Sequence, residues 1–468
     1  MFSRSLILTA LIFSVLFLFV SCRRYEPAAV NANIDVYEEG SIDVTETESQ
    51  TEETEEEETE TEEPEFIDTR TPVKVHGIYL ASKPVGNPEL MDSIIAQIDR
   101  SELNAVVIDI KDDYGKVTYD MQNLPQLKEL ESIEVSIEDM PGLMEKLKSH
   151  NIYCIARIVT MRDPHLARVK PEWMLTNPDG TVYKDNSGYP WVNPYKEEYW
   201  KYVLDIALEA GRAGFNEIQF DYIRFCTDKG ASDCIFDEAD VKDRDKTTVI
   251  SELTAYLAEN IRNAGYYMAC DVFGTIIGSK LDSRAVGQDY PAMSSMADYI
   301  CPMIYPSHYG AGNFGIDHPD LDPYNAILGA CKRSKYALAS SIEEGAHVAQ
   351  VRPWLQAFTA TWLGKGNYMN YDKAAIRKEI QAVYDAGYDE WILWNPSVKY
   401  DYSGFLSAAE AEAECQRIEE SRAAIPEEVL TEPAETFPVE LEEALDNGEL
   451  RPEDESILEE DGPIITYE

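Results

Sequence analysis

The sequence predicts an α/β fold, a closed (β/α)8 barrel over residues 71–424, and three observations carry that prediction. Eight strand-like apolar segments alternate strictly with segments of helical periodicity. Several of those strands are continuous apolar runs, as a parallel sheet covered on both faces requires. No glycine-rich phosphate loop follows the first strand, which disfavours the alternative, an open doubly wound sheet.

The elements follow in order. Val73–Leu80 is the first strand, and Met91, Ile94, Ile95 and Ile98 mark one face of the first helix. Ala105–Ile110 is the second strand; Met140, Leu143, Met144 and Leu147 repeat the helical spacing before a third strand at Ile152–Thr160. Tyr199, Tyr202, Val203 and Ile206 lead to a fourth strand at Glu217–Phe225, and Ile250, Leu253, Leu257 and Ile261 lead to a fifth at Tyr267–Phe273. A weak helix precedes the sixth strand, Tyr299–Tyr305. A helix from about Tyr324 leads to Val351–Phe358, and Ile376, Ile380, Val383 and Tyr384 lead to Glu390–Asn395, with a last helix near 405–423. Ala213-Gly214-Phe215, Ala264-Gly265-Tyr266 and Ala386-Gly387-Tyr388 each precede a strand, where glycine can take the left-handed conformation that ends a helix; Asn104 and Asn151 can play the same part.

The formal net charge of −47 over 468 residues is concentrated outside this body. Residues 38–65 hold fourteen Glu and Asp43 with no Lys or Arg, and residues 426–468 hold sixteen acidic residues against Arg451. Such a field argues against nucleic acid and anionic lipid as partners. The 23–70 linker, Glu/Thr-rich, and the 425–468 tail have too few apolar residues to offset the entropy of ordering, so both are expected to be disordered. At the N-terminus Arg4 precedes an apolar run from Leu6 to Val20, too short to span a membrane comfortably. Phe19-Val20-Ser21-Cys22 resembles a bacterial lipobox. That resemblance implies a 1–22 signal segment cleaved before Cys22, lipidation of its thiol, and an exported barrel anchored to the cell membrane or outer membrane. Of the other cysteines, Cys154, Cys270 and Cys301 lie in apolar strands and read as buried thiols, whereas Cys226 and Cys234, eight apart in one loop, could pair in an oxidising compartment.

In a barrel of this type the active site lies at the C-terminal ends of the strands. There the second strand ends Asp109-Ile110-Lys111-Asp112-Asp113 and the third carries Arg157 and Thr160. The fourth reads Gln219-Phe220-Asp221-Tyr222-Ile223-Arg224-Phe225, and the fifth ends Asp271-Val272-Phe273-Gly274. The sixth runs through Tyr305 to His308, the seventh holds Arg352-Pro353-Trp354-Leu355-Gln356, and the eighth ends Trp394-Asn395. Carboxylates, amides and aromatic rings dominate, which is the chemistry of sugar binding. Each has a plainer role beside it: Asp221 as a buried acceptor for Arg224, Asp271 as a cap of the next helix, Asp109 as a partner of Lys111, and Trp394 as core. No Cys/His spacing resembles a zinc site, and no metal or cofactor is expected.

Trp191-Val192-Asn193-Pro194 followed by Gly214-Phe215-Asn216-Glu217-Ile218-Gln219-Phe220-Asp221-Tyr222-Ile223-Arg224-Phe225 resembles a glycosyl hydrolase barrel family of bacterial exported proteins. Asp271-Val272-Phe273-Gly274, Pro302-Met303-Ile304-Tyr305-Pro306-Ser307-His308-Tyr309, Arg352-Pro353-Trp354-Leu355-Gln356 and Leu393-Trp394-Asn395 match in the same order, and the resemblance covers about residues 74–400. The family is itself distantly similar to α-amylase-like and α-galactosidase-like barrels, where an Asp ending the fourth strand is the nucleophile. One departure is Cys226, where a proline is expected.

The resemblance implies a retaining glycoside hydrolase acting on an extracellular or cell-envelope polysaccharide. Asp221 would be the nucleophile and Asp271 the acid/base, with Asp109, Lys111, Arg157, Arg224, Tyr305, His308, Gln356, Trp394 and Asn395 binding substrate. Two other readings stand beside it: a non-catalytic surface protein that binds glycan through the same cleft, and a metal-dependent deacetylase or phosphodiesterase using Asp109, Asp112 and Asp113. The insertion Pro171–Pro194, with its Asn177-Pro178-Asp179-Gly180 turn, either roofs the cleft or decorates the rim.

Overall fold

The computed structural model describes residues 68, 70–343 and 345–423. Residues 1–22, where a signal segment is expected, nearly all of the 23–70 linker and the 425–468 tail lie outside these residues. Eight parallel strands form one sheet: β1 (His76–Leu80), β2 (Ala105–Lys111), β3 (Tyr153–Val159), β4 (Glu217–Asp221), β5 (Tyr267–Phe273), β6 (Tyr299–Met303), β7 in two pieces (Gln350–Val351 and Trp354–Gln356) and β8 (Trp391–Trp394). Each pairs with the next in sequence, and β8 returns to β1 through His76↔Trp391, Gly77↔Ile392 and Ile78↔Leu393. The sheet is therefore closed and has no edge to protect.

One principal helix follows each strand: α1 (Pro88–Ile98), α2 (Met140–Ser149), α3 (Glu197–Ala213), α4 (Lys246–Asn263), α5 (Tyr290–Ser294), α6 (Pro323–Ser341), α7 (Lys373–Asp385) and α8 (Ala408–Ala423). Their apolar stripes explain the packing. Met91, Ile94, Ile95 and Ile98 of α1 are buried, as are Ile250, Leu253, Leu257 and Ile261 of α4. Acidic or amide N-caps start several of them: Asn87 accepts from Leu90 N, Asp139 from Gly142 N, Asp245 from Thr248 N and Asp372 from Ala374 N. Gly214, Gly265 and Gly387 have φ of 115°, 84° and 86°, and Asn151 has φ of 54°, so these positions do end helices in the left-handed region. Asn104 works differently: its Oδ1 accepts from His76 N and its Nδ2 donates to Lys74 O, tying β2 to the start of β1.

Three boundaries differ from the sequence expectation for local reasons. β1 begins at His76 rather than Val73. β7 is interrupted at Pro353, which has no N–H for the ladder. β4 stops at Asp221 because Tyr222 has φ of 54°, a left-handed backbone costly for a bulky residue. That turn swings the chain away from the sheet directly after Asp221.

The barrel interior is filled by side chains. Val75, Val107, Tyr153, Ile155, Ala269, Tyr299, Cys301, Trp354 and Ile392 form one buried apolar cluster inside the sheet. Near the N-terminal ends of the strands a fully buried Arg352 reaches Glu217 (2.6 Å) and Glu390 (2.8 Å), and Tyr153 donates to Glu217 (3.1 Å). This network lies at the opposite end from the chemistry, where barrel residues serve stability. Among the described residues no helix is long and apolar enough to cross a membrane.

Candidate active site

At the C-terminal mouth one guanidinium organises the carboxylates. Arg157 on β3 donates to Asp221 on β4 through Nε (2.9 Å) and Nη2 (2.5 Å), and to Asp109 on β2 through Nη1 (2.7 Å). The register makes this possible: Asp109 pairs with Arg157, and Val159 with Asp221. The side chains of the three residues share the barrel interior because strand residues alternate faces. Tyr79 of β1 donates its hydroxyl to Asp109 (2.5 Å), and its ring packs on Trp394 of β8 (4.1 Å between centroids). Arg157 lies over both rings, 5.7 Å from Tyr79 and 5.3 Å from Trp394. Burial opposes its charge, but Asp221, Asp109 and Asp113 outweigh that and hold the guanidinium firmly protonated.

Asp271 sits on β5 one residue beyond the registered pair Phe220↔Cys270, so it flanks Asp221 on the neighbouring strand. It is 1% exposed, against 7% for Asp221. Its Oδ1 accepts from the Trp354 indole (2.7 Å), and its Oδ2 has no hydrogen-bond partner. Burial first, and then the neighbouring charge of Asp221, push the Asp271 carboxyl well above the usual carboxylate range. The Asp221 oxygens are both engaged, Oδ2 by Arg157 and Oδ1 by the N–H of Tyr222 (2.7 Å). The arrangement thus sets a carboxylate fixed in an ion pair beside a carboxyl that its surroundings push toward the protonated form, and whose second oxygen is buried without a hydrogen-bond partner. Asp109 is also raised, to about 6, mainly by burial, but both of its oxygens are taken up by Tyr79 and Arg157.

Around this core the rim is aromatic and cationic. Asp113 pairs with Arg162, whose guanidinium stacks on Tyr222 (4.2 Å) and Tyr189 (5.2 Å). Burial would raise the Asp113 carboxyl, but Arg157 and Arg162 outweigh it and hold it below its usual value. The 171–194 insertion forms short antiparallel bridges, Met174↔Val192, Thr176↔Val182 and Lys184↔Pro190, and a further bridge, Arg162↔Trp191, joins it to the rim.

The candidate residues divide by what they touch. Asp109, Arg157, Asp221, Asp271, Tyr305 and Trp394 come together at the mouth. Arg157, however, spends its donors on three carboxylates and is fully buried, so it positions Asp221 rather than reaching substrate. Lys111 is displaced by a bulge between Asp109 and Lys111, and its ammonium is buried against Asp163 (2.8 Å) and Val159 O (2.8 Å); it is a strut and does not face the cavity. Gln356 is internal too: its amide donates to Asp320 and Phe358 O and accepts from Ser307 N. Asn395 holds the loop behind β8 through Ala357 O, Lys399 O and Ser397 N. Arg224 is sandwiched between Trp191 (4.7 Å) and Phe273 (4.3 Å) and donates to Phe225 O, so it locks the loop after β4 instead of pairing with Asp221. His308 is held neutral by burial, which lowers it to about 3, and its ring meets Tyr305 edge-on at 5.0 Å.

Asp112, grouped by sequence with Asp109 and Asp113 as possible ion ligands, caps its own turn through Tyr114 N and Lys116 N. Cys226 and Cys234 are free thiols, the former beside the Tyr183 hydroxyl. Tyr79, Arg162 and Tyr189 escaped the sequence reading, and Trp354 is read there only as part of the seventh strand's motif; the regular inward alternation of β1 and β7 was the signal available for Tyr79 and Trp354.

A closed parallel barrel with two neighbouring carboxylates at its C-terminal mouth is an architecture that glycosidases use. Residues 77–400 match the model of the family described as "Putative glycosyl hydrolase domain", and the chain belongs to that family. Among solved structures it is similar to a hypothetical protein from Ruminiclostridium thermocellum, at 33% identity over 42% of this chain and 97% of that one, with a TM-score of 0.38. It is also similar to the glycoside hydrolase domain of PgaB (BpsB) from Bordetella bronchiseptica, at 13% identity over 69% and 94% of the two chains, with a TM-score of 0.49. A β-galactosidase from Marinomonas ef1 matches at 11% identity over 77% of this chain and 62% of that one, with a TM-score of 0.50, and shares the fold. No curated protein matches the sequence.

Proposed function

We propose that the barrel is a retaining glycoside hydrolase for an extracellular or cell-envelope polysaccharide. One observation carries this reading: Asp221, fixed by Arg157, lies beside Asp271, whose carboxyl is pushed well above the usual range and whose Oδ2 is buried without a hydrogen-bond partner. Carboxyl groups on neighbouring strand ends, with strands about 4.8 Å apart, suit the about 5–5.5 Å spacing of a retaining pair. Asp221 attacks the anomeric carbon and forms a glycosyl ester while Asp271 gives its proton to the departing glycosidic oxygen. Asp271, now a carboxylate, takes a proton from water; the resulting hydroxide opens the ester, freeing the sugar and restoring both side chains. Each group suits its step: the guanidinium orients the nucleophile, and the dry pocket of Asp271 returns it to the acid form.

Export and anchoring at Cys22 belong to the same proposal, supported by the lipobox-like Phe19-Val20-Ser21-Cys22. Cys22→Ala in the host should shift the protein out of the membrane fraction or stall its processing; unchanged fractionation and mass would count against the anchor. The activity is tested by incubating the chain with a panel of aryl glycosides and polysaccharides and reading the first-formed anomer by proton NMR. Retention is expected. Inversion would remove the covalent step, and tight glycan binding without any bond cleavage would favour the non-catalytic glycan-binding lipoprotein instead.

A further inference from the structure

Two exposed aromatic rings stand on separate loops of the barrel mouth, after β2 and after β7, and each packs on a second aromatic ring. On one side the loop after β7 carries Trp362, 56% exposed and stacked on Phe358 (5.7 Å between centroids, 27° between planes). Phe358 meets Tyr305 edge-on at 5.7 Å, and Tyr305 belongs to the interior cluster that holds Trp354, the donor to Asp271. On the other side the loop after β2 carries Tyr114, 61% exposed and set edge-on to Tyr189 of the insertion after β3 (6.2 Å, 73°). Tyr189 lies under Arg162, and Arg162 covers Tyr222, the residue next to Asp221.

The topology gives these two posts a direction. Tyr114 follows β2 and Trp362 follows β7, and in the closed order these strands are three steps apart through β8 and β1 and five through β3 to β6. A line from Tyr114 to Trp362 therefore crosses the mouth, with Asp221 and Asp271 on the β4–β5 side and Tyr79 and Trp394 on the β1–β8 side. Single exposed rings are ordinary on a protein surface. Two of them, each held by another ring, match what a chain of pyranose rings needs: flat apolar faces against its C–H faces on both sides of the bond to be cut.

We propose that the mouth is an open groove that binds a linear, uncharged polysaccharide along the Tyr114–Trp362 line, so that the chain is cut internally. The internal cut rests on the reading of Asp221 and Asp271 given above; the binding groove does not. Uncharged sugars are favoured because Arg157, Arg162 and Arg224 are committed within the protein, while the overall acidity would repel a polyuronate.

The test is affinity electrophoresis of the full chain through gels containing xylan, mannan, β-1,3-glucan or α-1,4-glucan, with polygalacturonate as the charged comparison. Wild type and Asp221→Asn should both be retarded by an uncharged polymer. Trp362→Ala and Tyr114→Ala should each weaken that binding by about ten-fold, the loss of one stacked ring, and the double variant should abolish it at unchanged Tm. With the retarding polymer, viscosity should fall faster than reducing ends accumulate. No retardation of wild type in any uncharged gel, or equal retardation of the variants, overturns the groove. Reducing ends released one sugar at a time at nearly constant viscosity overturn the internal cut. Retardation with no reducing ends released overturns the hydrolytic reading, and the internal cut with it, while the groove stands.

Discussion

Arg157 grips Asp221 with two of its three nitrogens, Nε at 2.9 Å and Nη2 at 2.5 Å, across the interface between β3 and β4. The third nitrogen holds Asp109 at 2.7 Å, so a single buried guanidinium fixes the carboxylates of two different strands. A planar fork can do this and a point charge cannot.

Arg157→Lys should therefore separate charge from geometry. An ammonium keeps the positive charge but cannot hold Asp221 Oδ2 through two bonds converging from one planar fork while also reaching Asp109. On any substrate that wild type cleaves, kcat should fall by about 10²-fold for a displacement on the order of 1 Å, with KM changing far less. Arg157→Met, which strands the carboxylates, should also cost about 3–5 kcal/mol of stability in chemical denaturation. Wild-type kcat in the Lys variant would show that Arg157 does not position the nucleophile.

Lys111 offers the opposite case. Its ammonium pairs with Asp163 in full burial, and Asp163 Oδ1 also caps the turn at Leu166 N (2.8 Å). Lys111→Met leaves that carboxylate buried without its cation and should destabilise the fold by about 3–5 kcal/mol, with KM unchanged in the folded fraction. Lys111→Met combined with Asp163→Asn should recover most of the loss, because the amide still accepts the cap. A raised KM with full stability would return Lys111 to the substrate site.

Asp271 imposes a pH dependence on stability whose direction follows from its surroundings. Below the ordinary value of 3.8 both folded and unfolded chains hold its proton. Above that the unfolded chain releases the proton while the folded one keeps it, so folding loses stability as pH rises, until the raised folded value is reached. Asp271→Asn removes this loss. Its Tm relative to wild type should grow more favourable from pH 4 to pH 8 in thermal melts. A difference that stays flat over that range would mean that Asp271 is an ordinary carboxylate in the folded protein. The same proton matters for rate, and Asp271→Asn should slow cleavage of poor leaving groups much more than of activated aryl glycosides.

The fold was legible in the sequence because closing a parallel barrel demands repeated apolar runs, and stretches such as Ala105–Ile110 show them openly. The helix ends were legible for a similar local reason: Gly214, Gly265 and Gly387 take the positive φ that their positions require. The carboxylates Asp221 and Asp271 could be named because they end strands. Their partners could not, since Arg157 lies 64 residues from Asp221 and meets it only through strand register. Arg224, near in sequence, turned away with the left-handed Tyr222 into a cage of aromatic rings. Lys111 and Gln356 looked like binding residues from composition, and only packing reveals that their polar atoms are consumed inside. Trp362 carried no periodic signal because it lies on a loop.

The nucleophile assignment is tested most directly by the rate of Asp221→Asn on an activated aryl glycoside that wild type cleaves. The amide preserves the shape of the side chain and its bond from Tyr222 N but cannot form the glycosyl ester. Hydrolysis should fall by at least about 10³-fold, in line with losses seen when a nucleophile is removed, while the variant remains folded by circular dichroism. Wild-type hydrolysis by the folded variant would contradict the account.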